Sequence, residues 1–575
     1  MRRLILLLLV VMMFDNTNAQ YPPIPNTFRV PLDIPLYLSG NFAELRTDHF
    51  HSGIDIKTQG VTGKEVHAIE DGYVSRIKIQ TNGYGRSLYI NYPGGYTSVF
   101  GHLSAYDEQI DQYVKSYQYR NHVHEVDIYP SPGELPVKKG EVVALSGNSG
   151  SSGGPHLHFE IRSTAKQYPQ NVLRYGFPIK DNVPPRLYSL FVYGMNGDGK
   201  DRVPVSRREY DLSGENGVYR IKAGNVIASS LPVGLGIECY DYLNGSSNRC
   251  GIYSLEVFVN GKAVYHFQTD QFSFAESRYI NAHTDYSLKA LTRRRTHDLF
   301  REPGERLSMN KLDFRDGIIP SQPGHTDDIR IVAQDAYGNK SSLEFKLMDA
   351  GLDETTDDTI SENNTHHFKW YQVNDFSNRL MHLTIPEGSL YENTDFSYSY
   401  DSTGNSFYPY IHHIHSEEVP LQKYSTLTMG AGNIPERLLS KTGIVYLPAK
   451  GSPEWEGGEV KSGRITTGIR EFGNYTLEAD TLPPVIKPLN INPGKDMRNT
   501  GSIRFRIKDE LSGIATYEGY IDNSWVLFEY DPKNDMLYYR FDPVRFRNSD
   551  HSHELELYVD DNTGNTAIYH TTFYR

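Results

Sequence analysis

From about residue 30 to 180, apolar and polar positions alternate in short runs: EVHAIEDGYVSRIKI, SLYINY, YTSVFGHLS, EVVALSG and HLHFEIR. Val and Ile alternate with polar residues, and turns such as Asn82-Gly83 and Gly94-Gly95 separate the runs. A period of two marks strands with one face buried, so this stretch predicts a compact antiparallel β unit. Residues 105–135 break the pattern: they are polar and longer than a hairpin loop, which predicts an elaborated flap or a short helix.

The pattern further on repeats itself. Asn182-Val183-Pro184-Pro185 followed by Leu190 corresponds to Thr481-Leu482-Pro483-Pro484 followed by Leu489. GIYSLEVFVNG from Gly251 matches GIATYEGYIDN from Gly513, each with an aspartate upstream, Asp241 or Asp509. Both stretches end in a similar hairpin, DAYGN from Asp335 and DNTGN from Asp561. Three landmarks in one order make residues 181–350 and 481–575 two copies of one module, with an insertion at about 265–325 in the first. Alternating strands, Asp/Gly/Asn turns and a length near 100 residues for the second copy predict an Ig-like or fibronectin-like β-sandwich. Between them, 351–480 opens on the acidic LDETTDDTISENN and predicts a further β-rich unit.

Composition agrees with an all-β, multidomain chain. Its 575 residues are too many for one core, and 42 Tyr, 25 Phe, 49 Gly and 31 Pro favour strands broken by turns. The formal charge of −13 argues against a nucleic-acid partner, since phosphates are neutralised by clustered Lys and Arg. At the N-terminus, two arginines precede an apolar stretch from Leu4 to Phe14, then Thr17-Asn18-Ala19. That stretch is about half of what spans a bilayer, so residues 1–19 read as a signal peptide and no transmembrane segment is expected in the mature chain. An exported chain with two cysteines around a turn-rich loop predicts a Cys239–Cys250 disulfide.

Candidate chemistry centres on histidine. Five His-x-His pairs occur: His49/His51, His122/His124, His156/His158, His413/His415 and His551/His553. In HFHSGIDIKT, His51 and Asp55 are four residues apart, and in GGPHLHFEI, His156 and His158 are two apart. On extended chain such residues face the same way, so each pair can aim at one ion. Two imidazoles and a carboxylate form a ligand set for zinc with a fourth position left for water, so one of His156 and His158 is free to act on that water. His102, in VFGHLSAY, stands at the end of a predicted strand in the same unit. Glu160 shares a face with His156 and His158 and is a candidate to support a ligand from behind. His49 reads as a solvated neighbour and His122/His124 as surface residues of a polar loop. His412, His413 and His415, near Glu417 and Glu418, and His551/His553 read as strand residues.

RTDHFHSGIDI, VFGHLSAY and VKKGEVVALSGNSGSSGGPHLHFEI, in that order, resemble the LytM/lysostaphin family of zinc metalloendopeptidases, which cut peptide crosslinks of bacterial peptidoglycan. The likeness covers about residues 36–180. It implies one zinc ion held by His51, Asp55 and His158, with His156 as general base and His102 orienting the water or stabilising the tetrahedral intermediate. Two departures touch no ligand: Asn41-Phe42-Ala43-Glu44 stands where the family often has Phe-Gly, and the loop after His102 is long.

The function expected is therefore an exported zinc endopeptidase of the cell wall, most naturally periplasmic, acting on peptidoglycan stems or crosslinks. The β-sandwich modules would position it or bind a protein partner. Two alternatives differ in class: a regulator of other wall hydrolases, which an intact ligand set disfavours, and a zinc endopeptidase acting on glycine-rich proteins.

Overall fold

The computed structural model describes residues 28–351, 366–402, 407–432, 434–543 and 551–575. The signal peptide expected over residues 1–19 lies outside the described residues. The chain is built from strands throughout, with an N-terminal peptidase-like unit followed by several β-sheet units.

The N-terminal unit contains β1 (Leu38–Gly40), β2 (Ile54–Lys57), β3 (Glu65–His67), β4 (Gly72–Ile79), β5 (Arg86–Tyr92), β6 (Tyr96–Leu103), β7 (Ala105–Tyr106), α1 (Glu108–Asn121), β8 (Val126–Ile128), β9 (Pro136–Val137), β10 (Val142–Leu145), β11 (His156–Ser163) and β12 (Pro169–Gln170). The main sheet runs β1-β2-β11-β6-β5-β4-β8, and β3-β10-β7 form a second, small sheet. Every residue of β6 is buried, as a central strand demands, and Phe100, Phe159, Leu157 and Ile161 fill the core beneath it. Helix α1 accounts for the polar stretch at 105–135. Asp107 caps it by accepting from the Ile110 N–H at 3.0 Å, while Ile110, Val114 and Gln118 form its buried face.

Strand register assembles the site. β11 is paired on both sides, so that His158 stands opposite Asp55 of β2 and Gly101 of β6. A Cβ at position 101 would come within 3.3 Å of the His158 Cβ, so glycine there lets β6 lie close against the histidine.

Residues 186–349 fold around an 11-stranded sheet, 374–479 contribute two five-stranded sheets, and 485–574 a four- and a five-stranded sheet. One feature crosses the expected boundary. Phe42, Ala43, Leu45 and Phe50, just upstream of His51, are buried with Leu190, Ile237 and Phe272 of the next unit and not in the peptidase core. The rings of Phe42 and Phe50 lie 5.3 and 6.0 Å from Phe272.

The predicted Cys239–Cys250 disulfide is not formed; both thiols are free and buried. The backbone pairs Asp241, not Cys239, with Cys250, which displaces the two cysteines along the strand. Their side chains then enter different cores, Cys239 that of the second unit and Cys250 that of the first.

Candidate metal centre

Three side chains from two strands and a lead-in loop converge. His51 Nε2 lies 3.1 Å from Asp55 Oδ1 and 3.1 Å from His158 Nδ1, and His158 Nδ1 lies 2.9 Å from the same Asp55 oxygen. All three residues are buried. The other ring nitrogens fix the tautomers. His51 Nδ1 sits 2.7 Å from the Asn41 carbonyl and donates to it, which leaves a lone pair on Nε2. His158 Nε2 donates to Glu160 Oε1 at 2.8 Å, which leaves Nδ1 as the inward-facing atom.

Two lone pairs and a carboxylate oxygen thus face one point, an arrangement that repels itself unless a cation or a proton lies between. Without a metal, a proton takes that place: burial opposes charge on His158, but hydrogen bonds to Asp55 and Glu160 raise it to about 9. His51 is pushed down, chiefly by burial. Asp55 stays well below the usual carboxylate range because the surrounding histidines outweigh its burial. Ligand atoms on a tetrahedral zinc are separated by roughly 3.4 Å, close to the distances here, and an N2O donor set suits that ion. The residues present fit zinc.

His102 and His156 flank the trio, with ring centroids 4.8 Å apart. His156 Nδ1 donates to the Gly154 carbonyl at 2.8 Å, and its Nε2 lies 3.5 Å from Asp55 Oδ1. His102 Nδ1 donates to the Ser149 carbonyl at 2.9 Å. Burial first, then the neighbouring His158 and His156, lower His102 to about 3, so it is neutral. Its backbone takes a φ of 61°, a left-handed conformation unusual for a residue with a side chain, and the break falls where β6 reaches the site.

Of the residues that hold these five, Glu160 is anticipated by the face it shares with His158, whereas Tyr84 and Arg46 are not. Glu160 is fully buried; its Oε1 accepts from His158, from Ser52 Oγ at 2.7 Å and from the Tyr84 hydroxyl at 2.5 Å, while Oε2 accepts from Arg162 at 2.5 Å. Burial alone would raise this carboxyl, but the Arg162 and His158 charges hold it well below its ordinary range. Tyr84 also stacks on His158 at 4.9 Å. Arg46 donates to Asp55 Oδ2 at 2.7 Å, which turns Oδ1 toward the histidines. Arg46 lies within the HFHSGID neighbourhood, so its sequence position was a usable signal; Tyr84 arrives from a turn between β4 and β5 and left none.

The remaining histidines stand apart. His49 is exposed and paired with Asp48. His412 is buried between the Tyr398 and Tyr408 hydroxyls, His413 bonds Asn474 and Asp401, and His553 bonds Asp522, all on or beside strands. His122 is exposed, as the surface reading has it, and stacks on Trp525 at 5.1 Å; His124 departs from that reading, being half-buried, 4.4 Å from Tyr517 and donating to the Phe528 carbonyl. They join the first unit to the last one.

Comparison with known proteins places this geometry. The profile of Peptidase family M23 matches residues 49–123, and that of the Zu5-like domain matches 365–480. The chain is 36% identical over 111 residues to an uncharacterized metalloprotease of Haemophilus influenzae, covering 19% of this chain and 18% of the relative. It is 31% identical over 118 residues to the DD-carboxypeptidase/endopeptidase Mpg of Neisseria meningitidis, covering 20% and 21%. The match thus spans about a fifth of the length of these relatives. Among solved structures, the catalytic domain of the antimicrobial peptidase lysostaphin from Staphylococcus simulans is 20% identical, over 24% of this chain and 88% of that one, with a TM-score of 0.18. The catalytic domain of the M23 protein EnpA from Enterococcus faecalis is 26% identical, over 22% and 82%, with a TM-score of 0.17. Its motifs, the Peptidase family M23 match and the two curated relatives together identify the N-terminal unit as a LytM-like domain of the M23 metallopeptidase family.

Proposed function

We propose that the protein is an exported endopeptidase that binds one zinc ion through His51, Asp55 and His158 and hydrolyses peptide bonds in the stems or crosslinks of peptidoglycan. The observation that carries this reading is the meeting of three inward-facing donors beside two further imidazoles. Bound there, zinc would supply a Lewis acid for the scissile carbonyl and make a water acidic enough to react near neutral pH.

The chain's own residues account for the proton transfers. With its Nδ1–H committed to Gly154, His156 keeps Nε2 free to take a proton from the attacking water and later deliver it to the departing amine. His102 is neutral and has its Nδ1–H committed to Ser149, so its Nε2 accepts a hydrogen bond and orients the same water. The alternative role for His102, donating to a tetrahedral oxyanion, would need the opposite tautomer. Peptidoglycan as substrate rests on the family likeness, and periplasmic export on the sequence of the first 19 residues.

The test is digestion of purified sacculi by the full chain and by His156→Ala, with mass spectrometry of the soluble products. Zinc-dependent release of muropeptides by the wild type and its loss in the variant are expected. If no wall type yields metal-dependent fragments, the substrate assignment is overturned.

A further inference from the structure

Asp181, Asp241 and Asp335 come from three places in the sequence, the end of the peptidase unit, the end of strand Val233–Tyr240 and the turn after strand Thr326–Gln334. Their carboxylate oxygens nevertheless lie within 4.8 Å of one another. Asp241 is 1% exposed and Asp335 is equally buried. Among the described residues none of the three has a salt-bridge partner. Asp335 is occupied by the Tyr337 and Asn339 amides and by the Asn339 side chain, and Asp181 Oδ1 by the Val183 N–H. Two buried oxygens of the cluster, Asp241 Oδ1 and Asp181 Oδ2, have no hydrogen-bond donor. A buried carboxylate oxygen left bare costs free energy, and bare oxygens facing like charges cost more.

We propose that this cluster is a calcium site at the junction between the peptidase unit and the first of the following β-sheet units. An all-oxygen, carboxylate-rich donor set selects a hard divalent cation, and calcium tolerates the irregular geometry that three loops provide. Burial, followed by the charges of Asp181 and Asp335, pushes Asp241 well above the usual carboxylate range.

The repeat provides an internal control. Asp480, Asp509 and Asp561 occupy the same positions in the last unit and also cluster within 4.8 Å. There, however, both oxygens of Asp480 accept backbone amides, from Leu482 and Ser512, and Asp509 Oδ2 accepts those of Leu511 and Gly513. The Asp480 oxygen that corresponds to a bare one in the first cluster is filled, so the proposal is confined to the first.

The site has a route to the metal centre. Asp241 pairs with Cys250, and the next residue, Gly251, holds Asn41 by two hydrogen bonds: Asn41 Nδ2 donates to the Gly251 carbonyl at 2.9 Å, and the Gly251 N–H donates to Asn41 Oδ1 at 2.6 Å. The Asn41 carbonyl is the partner of His51.

The zinc-loaded full chain, titrated with calcium chloride in a calorimeter and followed by thermal melting, tests the proposal. One calcium per chain and a raised melting midpoint are expected. Asp241→Asn should weaken calcium binding by at least about tenfold and erase the shift, while Asp509→Asn leaves both intact. Should Asp241→Asn fail to fold, Asp181→Asn, at the half-exposed corner of the cluster, makes the same comparison. No calcium-dependent heat or melting shift in the wild type, or binding that survives both Asp241→Asn and Asp181→Asn, or is lost in Asp509→Asn, would overturn it.

Discussion

Glu160 is fully buried and accepts four hydrogen bonds, one of them from the back of His158. A carboxylate behind a ligating imidazole fixes its tautomer and makes the inward nitrogen a better donor, so its loss typically weakens metal binding by about 10- to 100-fold. Glu160→Gln should therefore lower zinc affinity within that range in a chelator competition, with strand content unchanged by circular dichroism. Tyr84→Phe, which removes one donor to Glu160 but keeps the ring on His158, should cost only a few-fold. Equal losses in both would show that the stacked ring's hydroxyl, and not the carboxylate charge, sets the affinity. A second buried carboxyl gives a pH signature far from the metal. Burial raises Glu305 from an ordinary 4.5 to about 8, against the opposing effects of Arg301 and the Asn310 amide. Folded Glu305 therefore holds a proton that the unfolded chain has already released, and the stability this confers is complete below pH 4.5 and lost as pH rises through 8. Glu305→Gln keeps an acceptor for the Asn310 Nδ2 donor, which lies 2.6 Å away, and removes the titration. Its melting midpoint should exceed the wild type's at pH 8 and approach it at pH 5, a difference that scanning calorimetry reads directly.

At the scale of elements, the segment from Asn41 to Phe50 belongs to two units at once. It leads into His51, yet its apolar side chains are buried in the neighbouring core, and the Arg295 guanidinium and Lys289 ammonium of that neighbour grip its Leu45 and Thr47 carbonyls. Deleting a buried phenylalanine ring typically costs about 3–5 kcal/mol. Phe50→Ala should accordingly destabilise the second unit and weaken zinc binding together, whereas Phe376→Ala, in a separate core, should leave zinc binding unchanged. Independent movement of stability and zinc affinity in Phe50→Ala would mean that the segment is only a linker. This coupling marks the limit of what the sequence discloses. Asp55, His156 and His158 were legible because a strand's period of two is local and aims side chains without reference to the rest of the fold; His51, on the loop ahead of the strand, was legible from its motif. The β units were legible for the same reason, and the helix after His102 because its polar run was too long for a hairpin. Tyr84 and the Asn41–Gly251 contact were not, because each depends on register and packing between segments up to 210 residues apart. The cysteine pair failed on register too: closeness in sequence said nothing about which core each thiol enters.

At the scale of the whole molecule, the last unit reaches back to the first across more than 380 residues. Lys533 donates its ammonium to the Asn148, Gly150 and Ser152 carbonyls, the Arg86 guanidinium pairs with Glu529, and Trp525 receives His122 and Tyr119. The loop held by Lys533 also carries Ser149, whose carbonyl orients His102. The last unit is thus linked through Ser149 to His102, a residue of the proposed mechanism, without touching His51, Asp55 or His158. Because the Lys533 contact is solvent-exposed, its contribution to stability is small, within about 1 kcal/mol. Its effect on geometry is another matter, since a catalytic imidazole displaced by a fraction of an ångström loses rate disproportionately. Lys533→Ala should therefore reduce kcat on a muropeptide substrate by roughly three- to tenfold while KM, zinc affinity and the melting midpoint stay near their wild-type values. His102→Ala should lose far more, and adding Lys533→Ala to it should change nothing further, because both substitutions act through one imidazole. A double variant slower than His102→Ala alone would show that the last unit acts on the substrate directly, and a change in KM without a change in kcat would place its contribution in binding.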